Sequence, residues 1–174
     1  MDCTFKTPEG KFNLRVGAVI TDGKRVLVSK DGSHSFYWVT GGRVKLGETT
    51  EEAILREIRE ELGVEYNAAE QVVLGDVRQD EAEVARLYSI AEKFFTVDGV
   101  FYHELEYLYL IKPFDIAKID YGAVHCDSPD ISLVWLDTDS EPDMPVYPEH
   151  LFEAVRNPSG AVRIMVQKSP GDSK

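Results

Sequence analysis

Four glutamates, one arginine and a glycine pair hold the chemistry this sequence can be read for. Glu57, Glu60 and Glu61 are related by three and four positions, so on a helix they share one face. Like charges at that spacing repel by a few tenths of a kcal/mol per pair, roughly, and no lysine stands at a matching position to relieve them. Such a cluster calls for a cation, and oxygen-only donors favour Mg²⁺ or Mn²⁺ over zinc. Glu48 enters from the preceding loop towards the same place. The planar fork of Arg56 suits a carboxylate and could orient one of these side chains. Gly41-Gly42 follows the apolar run Phe36–Val39, where two glycines allow a sharp turn and a close backbone approach to a ligand. Together these residues suit a site for a hard divalent cation. The plain alternative is a solvated, glutamate-rich helix face. The loop glutamate, the glycine turn and the Arg-Glu and Glu-Glu spacing occur together, and that conjunction favours a site.

A helix must position the three carboxylates. Thr49 and Glu52 have the spacing of a capping box, which starts a helix near Thr49 or Thr50. Ile54, Ile58 and Leu62 form one apolar row, with Ala53 and Leu55 beside it. Gly63 suits the C-terminal cap.

The stretch Gly42 to Val64, GRVKLGETTEEAILREIREELGV, resembles the Nudix box at every specified position. One small departure is Thr40, where the family often has proline. The resemblance implies the Nudix fold, an α+β arrangement with a mixed β-sheet sandwiched between α-helices. It implies Mg²⁺ or Mn²⁺ held by Glu57, Glu60, Glu61 and the backbone carbonyl of Gly42. The reaction it implies is hydrolysis of a phosphoanhydride bond in a nucleoside diphosphate linked to another group, with a nucleoside triphosphate or related nucleotide as the default substrate. Glu57 is favoured as the base within the box, with Arg56 and Glu60 beside it in the catalytic set. Family members also draw a base or ligand from elsewhere. Here Glu48, Glu104 and Glu106 are the further candidates, with Glu92, His103 and the acidic run Asp80, Glu81 and Glu83 also open. Glu104 and Glu106 alternate on one strand face and His103 points the other way; plain surface charge is the competing reading for them. A non-catalytic nucleotide-sensing module is the alternative function, although such modules commonly lose box glutamates and this chain keeps them all. Subfamily markers are missing. Gln79 stands where ADP-ribose hydrolases carry proline, and Asp80, Glu81 and Ala82 stand where dinucleoside polyphosphate hydrolases carry tyrosine. The resemblance leaves a homodimer open.

Composition sets the outer bounds. The 174 residues suit one domain, with a core at about 12–156. Hydrophobic residues make up 43%, so a disordered chain is not expected. No apolar run reaches the ~18 residues of a membrane span. The start, MDCTFKTPEGK, does not read as a secretory signal. Cys3 and Cys126 suggest neither a disulfide framework nor a zinc site, and a reducing, cytoplasmic setting is the default expectation. A net charge of −12 disfavours long nucleic acid and anionic membrane. It is awkward for a polyphosphate too, unless bound divalent cations supply local positive charge, and the small nucleotide partner is what the resemblance implies. Lys24, Arg25, Lys30, Arg43 and Lys45 lie near the box and could offset that charge for a phosphate.

Strands are expected at 12–20 and 25–29, at 36–38, and at 71–77. A hairpin is expected from 87 to 112 across Asp98-Gly99, a strong turn pair. A short strand follows at 131–136, then a helix over 148–156 with Pro148 at its first position, and a last strand at 162–166. Phe36, Tyr37 and Trp38 could stack on a nucleobase, although core packing is favoured for them.

Overall fold

The computed structural model describes residues 1–63, 85–111, 125–158 and 160–169. The described residues form two sheets and two helices. One sheet runs in the order β1 (Thr4–Thr7), β2 (Gly10–Val19), β7 (Val100–Ile111), β6 (Ala85–Val97) and β10 (Arg163–Lys168), with β5 (Gly41–Arg43) also paired to β2. The other has the order β8 (Ser132–Asp137), β3 (Arg25–Lys30), β4 (Tyr37–Trp38) and β9 (Val146–Tyr147). Parallel β2–β7 and β6–β10 pairs beside the antiparallel β6–β7 hairpin make the first sheet mixed. At the hairpin tip Asp98 and Gly99 both have positive φ, 52° and 76°, as the I′ turn requires.

Alternation along β2 feeds two cores. Val16, Ala18 and Ile20 join Leu27, Tyr109 and Trp135 beneath helix α1 (Thr50–Leu62), which contributes Ala53, Ile54 and Ile58. Val19 joins Val26, Val28, Tyr37, Tyr88 and Leu108 beneath helix α2 (Leu151–Arg156), which contributes Leu151, Ala154 and Val155. The sheets thus lie between the helices, and the expected α+β sandwich is the observed one.

Helix α1 starts and stops where its sequence predicts. The Thr49 hydroxyl accepts from the Glu52 N–H, the Glu52 carboxylate accepts from the Thr49 N–H, and Gly63 closes the helix in the left-handed conformation. Helix α2 corrects the expectation for its start. Pro148 is not its first residue: the Leu151 N–H donates to the Pro148 carbonyl at 2.9 Å, a turn that precedes the helix, and His150 takes the cap position. β1 and β9 carry too little alternation to be foreseen, since β1 is mostly exposed and β9 has two residues. The strand expected at 71–77 and the acidic run Asp80, Glu81 and Glu83 lie outside the described residues.

Candidate active site

The box arginine organises the corner between β5 and α1. Arg56 uses all five of its donors. Nε and Nη2 grip both oxygens of Glu48, at 3.1 and 2.8 Å. Nη1 donates to Glu57 at 2.6 Å and to Glu60 at 3.0 Å. The second Nη2 bond goes to the Arg43 carbonyl at 3.1 Å, which ties the helix to the strand that carries the glycines. Hydrogen bonding to Glu48, opposed by burial and then reinforced by Glu57, raises the already high pKa of Arg56. The same bond, reinforced by the Lys45 N–H, holds Glu48 below the ordinary carboxylate range.

Glycine at position 42 leaves room for the Glu57 carboxylate. A Cβ there would lie 2.3 Å from Glu57 Oε1, so any side chain would displace the carboxylate. Position 41 is stricter still: φ is +151° and a Cβ would meet the Val16 carbonyl oxygen at 2.2 Å. The strand therefore comes close enough to α1 to put the Gly42 backbone against the Glu57 carboxylate.

Glu61 stands apart from Arg56. It is buried, and it accepts from the Gly41 N–H and the Thr40 hydroxyl. Its Oε2 has no hydrogen-bond partner. Burial first, then the charge of Glu57, pushes its pKa up to about 8, against the pull of the Gly41 N–H. His125 and Asp127 border this oxygen, with His125 Nε2 3.7 Å away and Asp127 near enough to raise the carboxyl further. His125 is itself buried and held by Ser29 Oγ at 2.7 Å. The loop ahead of β8 is docked here because the Cys126 N–H donates to the Glu61 carbonyl at 2.8 Å. Neither residue is visible as a site component in the sequence, since each sits alone in a loop far from the box, with no spacing signal.

The donor set fits a hard divalent ion. Its oxygens are all carboxylate or backbone, and one buried carboxylate oxygen lacks a partner, which is costly unless a proton or a cation satisfies it. Among the described residues no three acidic, histidine or cysteine side chains converge as a ready cage; Arg56 holds Glu48, Glu57 and Glu60 instead.

Glu104 and Glu106 lie elsewhere. Both are buried rather than on the surface, and both pair with Lys93 on the neighbouring strand, not with the box carboxylates. They border a cavity of ≈ 960 Å³. His103 faces away, as alternation requires, and pairs with Glu92 at 2.9 Å. The aromatic run before the glycines divides its roles. Tyr37 is core, with its hydroxyl donated to Asp143, whereas Phe36 and Trp38 are half-buried at the cavity wall. Val16, also on the wall, is the register partner of Gly42, so the cavity adjoins the box.

The family model described as NUDIX domain matches residues 11–150. Among solved structures the chain is similar to a MutT NUDIX hydrolase from Burkholderia pseudomallei, at 23% identity and TM-score 0.57, over 82% of this chain and 96% of that one. It is also similar to a mutator MutT protein from Bacillus halodurans, at 16% identity and TM-score 0.62, over 92% and 93%. An ADP-ribose pyrophosphatase from Streptococcus suis aligns at 16% identity and TM-score 0.50, over 87% and 98%. No curated protein matches the chain.

Proposed function

The chain belongs to the NUDIX domain family as a Nudix hydrolase, and from that premise we propose that it hydrolyses a phosphoanhydride bond in a nucleotide, with a nucleoside triphosphate or related nucleoside diphosphate derivative as substrate. The observation that carries this reading is the Arg56 fork. It gathers Glu48, Glu57 and Glu60 beside Gly42 and leaves Glu61 as a buried carboxylate with an unfilled oxygen.

Glu57, Glu60, Glu61 and the Gly42 carbonyl are the groups that would hold Mg²⁺ or Mn²⁺. The bound ion would offset charge on the phosphates and make a coordinated water more acidic. The chain's own residues do the rest. Glu57, fixed at 2.6 Å by Arg56, accepts the proton of the attacking water, with Glu48 as the alternative base on the other prong of the same fork. Gly41 and Gly42 bring β5 against the Val16 backbone and the Glu57 carboxylate, contacts that a side chain at either position would disturb. Lys45, 3.8 Å from Glu60, brings positive charge to the phosphate side. Placement of these groups supplies most of the rate in such a reaction.

No helix among the described residues is long and apolar enough to cross a membrane. A small nucleotide partner and a cytoplasmic setting belong to the same proposal.

The test is phosphate and pyrophosphate release with Mg²⁺ from a panel of nucleoside triphosphates, oxidised nucleotides, ADP-ribose, nucleotide sugars and dinucleoside polyphosphates. Metal-dependent release that Glu60→Gln lacks supports the hydrolase. Silence across the panel, with nucleotides still bound in calorimetry, would turn the assignment to a sensing module.

A further inference from the structure

The cavity beside the box has a floor that hydrolysis alone does not explain. Registered neighbours on β2, β7 and β6 point Asn13, Glu104 and Glu106, and Lys93 to one side of the sheet. Glu104 and Glu106 are each more than nine-tenths buried, at 6% and 8% exposure. The Asn13 amide donates to Glu104 at 3.2 Å, and Lys93 Nζ lies 3.8 Å from Glu104 and 2.6 Å from Glu106 Oε2. Among the described residues no hydrogen bond besides the Lys93 ion pair reaches Glu106 Oε2, so that oxygen keeps a lone pair for a further donor. Two buried carboxylates share one ammonium. The two carboxylates therefore offer more acceptor lone pairs than Asn13 and Lys93 have donors aimed at them.

Buried charge of this kind costs stability, and apolar side chains would pack the sheet at least as well. Its place against a cavity of ≈ 960 Å³, roomy enough for a nucleoside, gives it a ligand to read. The walls describe that ligand's shape. Phe36, Trp38 and Tyr147 stand edge to face, with ring centroids 5.8 and 5.4 Å apart, and offer flat apolar surfaces at the mouth. Arg15, the register partner of both Glu106 and Arg43, also lines the cavity and has no carboxylate partner among the described residues. It supplies an anion handle on the side towards the box.

A flat ring on the wall, an N–H donor at the floor and phosphate towards β5 describe one kind of molecule. We propose that this cavity selects the nucleobase of the substrate by its exocyclic amino group, which donates to the Glu104–Glu106 pair while Lys93 holds the two carboxylates together. This rests on the nucleotide hydrolase reading above. Bases that carry an amine are accepted. Their deaminated counterparts turn a carbonyl, or nothing, towards carboxylate oxygens, and are refused.

Matched pairs isolate the amine. Guanosine and inosine differ only by it, and cytidine and uridine differ by amine against carbonyl. Binding of these four nucleosides, without phosphate or metal, is followed by fluorescence quenching of Trp38 and by calorimetry. Trp38→Phe serves as the fluorescence blank. The expected result is a preference of about tenfold or more for each amino partner, the size of one charged hydrogen bond lost with its acceptor left bare. Glu106→Gln should reduce that preference to about threefold or less, because its amide can turn an N–H towards the ligand. Because Glu106→Gln also removes a partner of Lys93, Glu106→Gln/Lys93→Met serves as a balanced second variant and should show the same loss. Equal binding within both pairs would overturn the proposal, as would a preference that survives both variants. Neither result touches the hydrolase assignment, which the release panel decides independently; nucleoside binding without any hydrolysis would do the reverse.

Discussion

Replacing Arg56 by methionine tests the architecture of the candidate site without any substrate. The side chain is 12% exposed and ion-paired to Glu48, Glu57 and Glu60. Methionine keeps much of the packed volume and removes every donor. Glu48 and Glu57 are then half-buried carboxylates without their guanidinium, with Lys45 as the remaining positive charge near Glu48 and Glu60. Breaking a buried pair by removing one partner costs about 3–5 kcal/mol. Glu60 is 38% exposed and keeps its water, so the low end, about 3 kcal/mol, is the better figure. For a chain of this size that lowers Tm by about 6–12 °C. The assay is thermal unfolding by circular dichroism with and without millimolar MgCl₂. The cation can then take the place of the guanidinium between the carboxylates, so Mg²⁺ should recover a larger part of Tm in the variant than it adds to the wild type. A fall of less than about 2 °C in the absence of metal would refute the view that Arg56 neutralises the cluster. Equal recovery by NaCl at matched ionic strength would refute the view that the cluster takes a divalent ion.

Other substitutions probe separate links in the argument. Glu57→Gln and Glu60→Gln should each keep the thermal transition nearly intact and lower kcat by about two orders of magnitude or more; wild-type turnover in both would remove the box from the mechanism. Gly41→Ala should fail to fold or lose several kcal/mol, roughly, because its Cβ would meet the backbone oxygen of Val16 at 2.2 Å, and a soluble variant with unchanged Tm would contradict the observed β2–β5 pairing. Asp22 probes pH. Partial burial raises its pKa, but the N–H groups of Arg25 and Lys24 and the Arg25 guanidinium outweigh that and bring it down to about 2. A depressed folded pKa gives stability that is present above the unfolded value and is lost as pH falls through the folded one. Wild type should therefore exceed Asp22→Asn by about 1 kcal/mol or less at neutral pH, discounted for exposure. That margin should shrink between about pH 4 and about pH 2 in urea unfolding; a constant margin would mean that the charge is not what the turn uses.

The helix was legible because its signals are local. The Thr49–Glu52 box, the Ile54–Ile58 row and Gly63 each act within a few residues, and each is found as read. The Asp98-Gly99 turn is local in the same sense. Pro148 misled because a fixed φ suits the turn before a helix as well as a first turn, and only the Leu151 to Pro148 bond tells the two apart. Arg56 was legible as a residue that orients a carboxylate. That it would hold three at once, with no donor left over, depends on where Glu48 returns from the loop.

Glu104 and Glu106 show the deeper limit. Alternation on a strand says that the two share a face, but not whether that face meets solvent. The answer lies with Lys93, on a different strand, and with Asn13, ninety-one positions from Glu104. A carboxylate becomes a surface charge, a metal ligand or a reader of a ligand according to its neighbours across the sheet. Here the box carboxylates gather around a guanidinium and the strand carboxylates around an ammonium. Two acidic clusters, each given its own cation, can sit in one acidic protein without repelling a polyphosphate from both. In the proposed function the first would take up a divalent cation and face the anhydride. The second is paired with Lys93 and, in the inference above, turns its spare lone pairs to a neutral base. If that division of labour is right, Mg²⁺ should protect the Arg56 corner from thermal unfolding and leave nucleoside binding in the cavity unchanged.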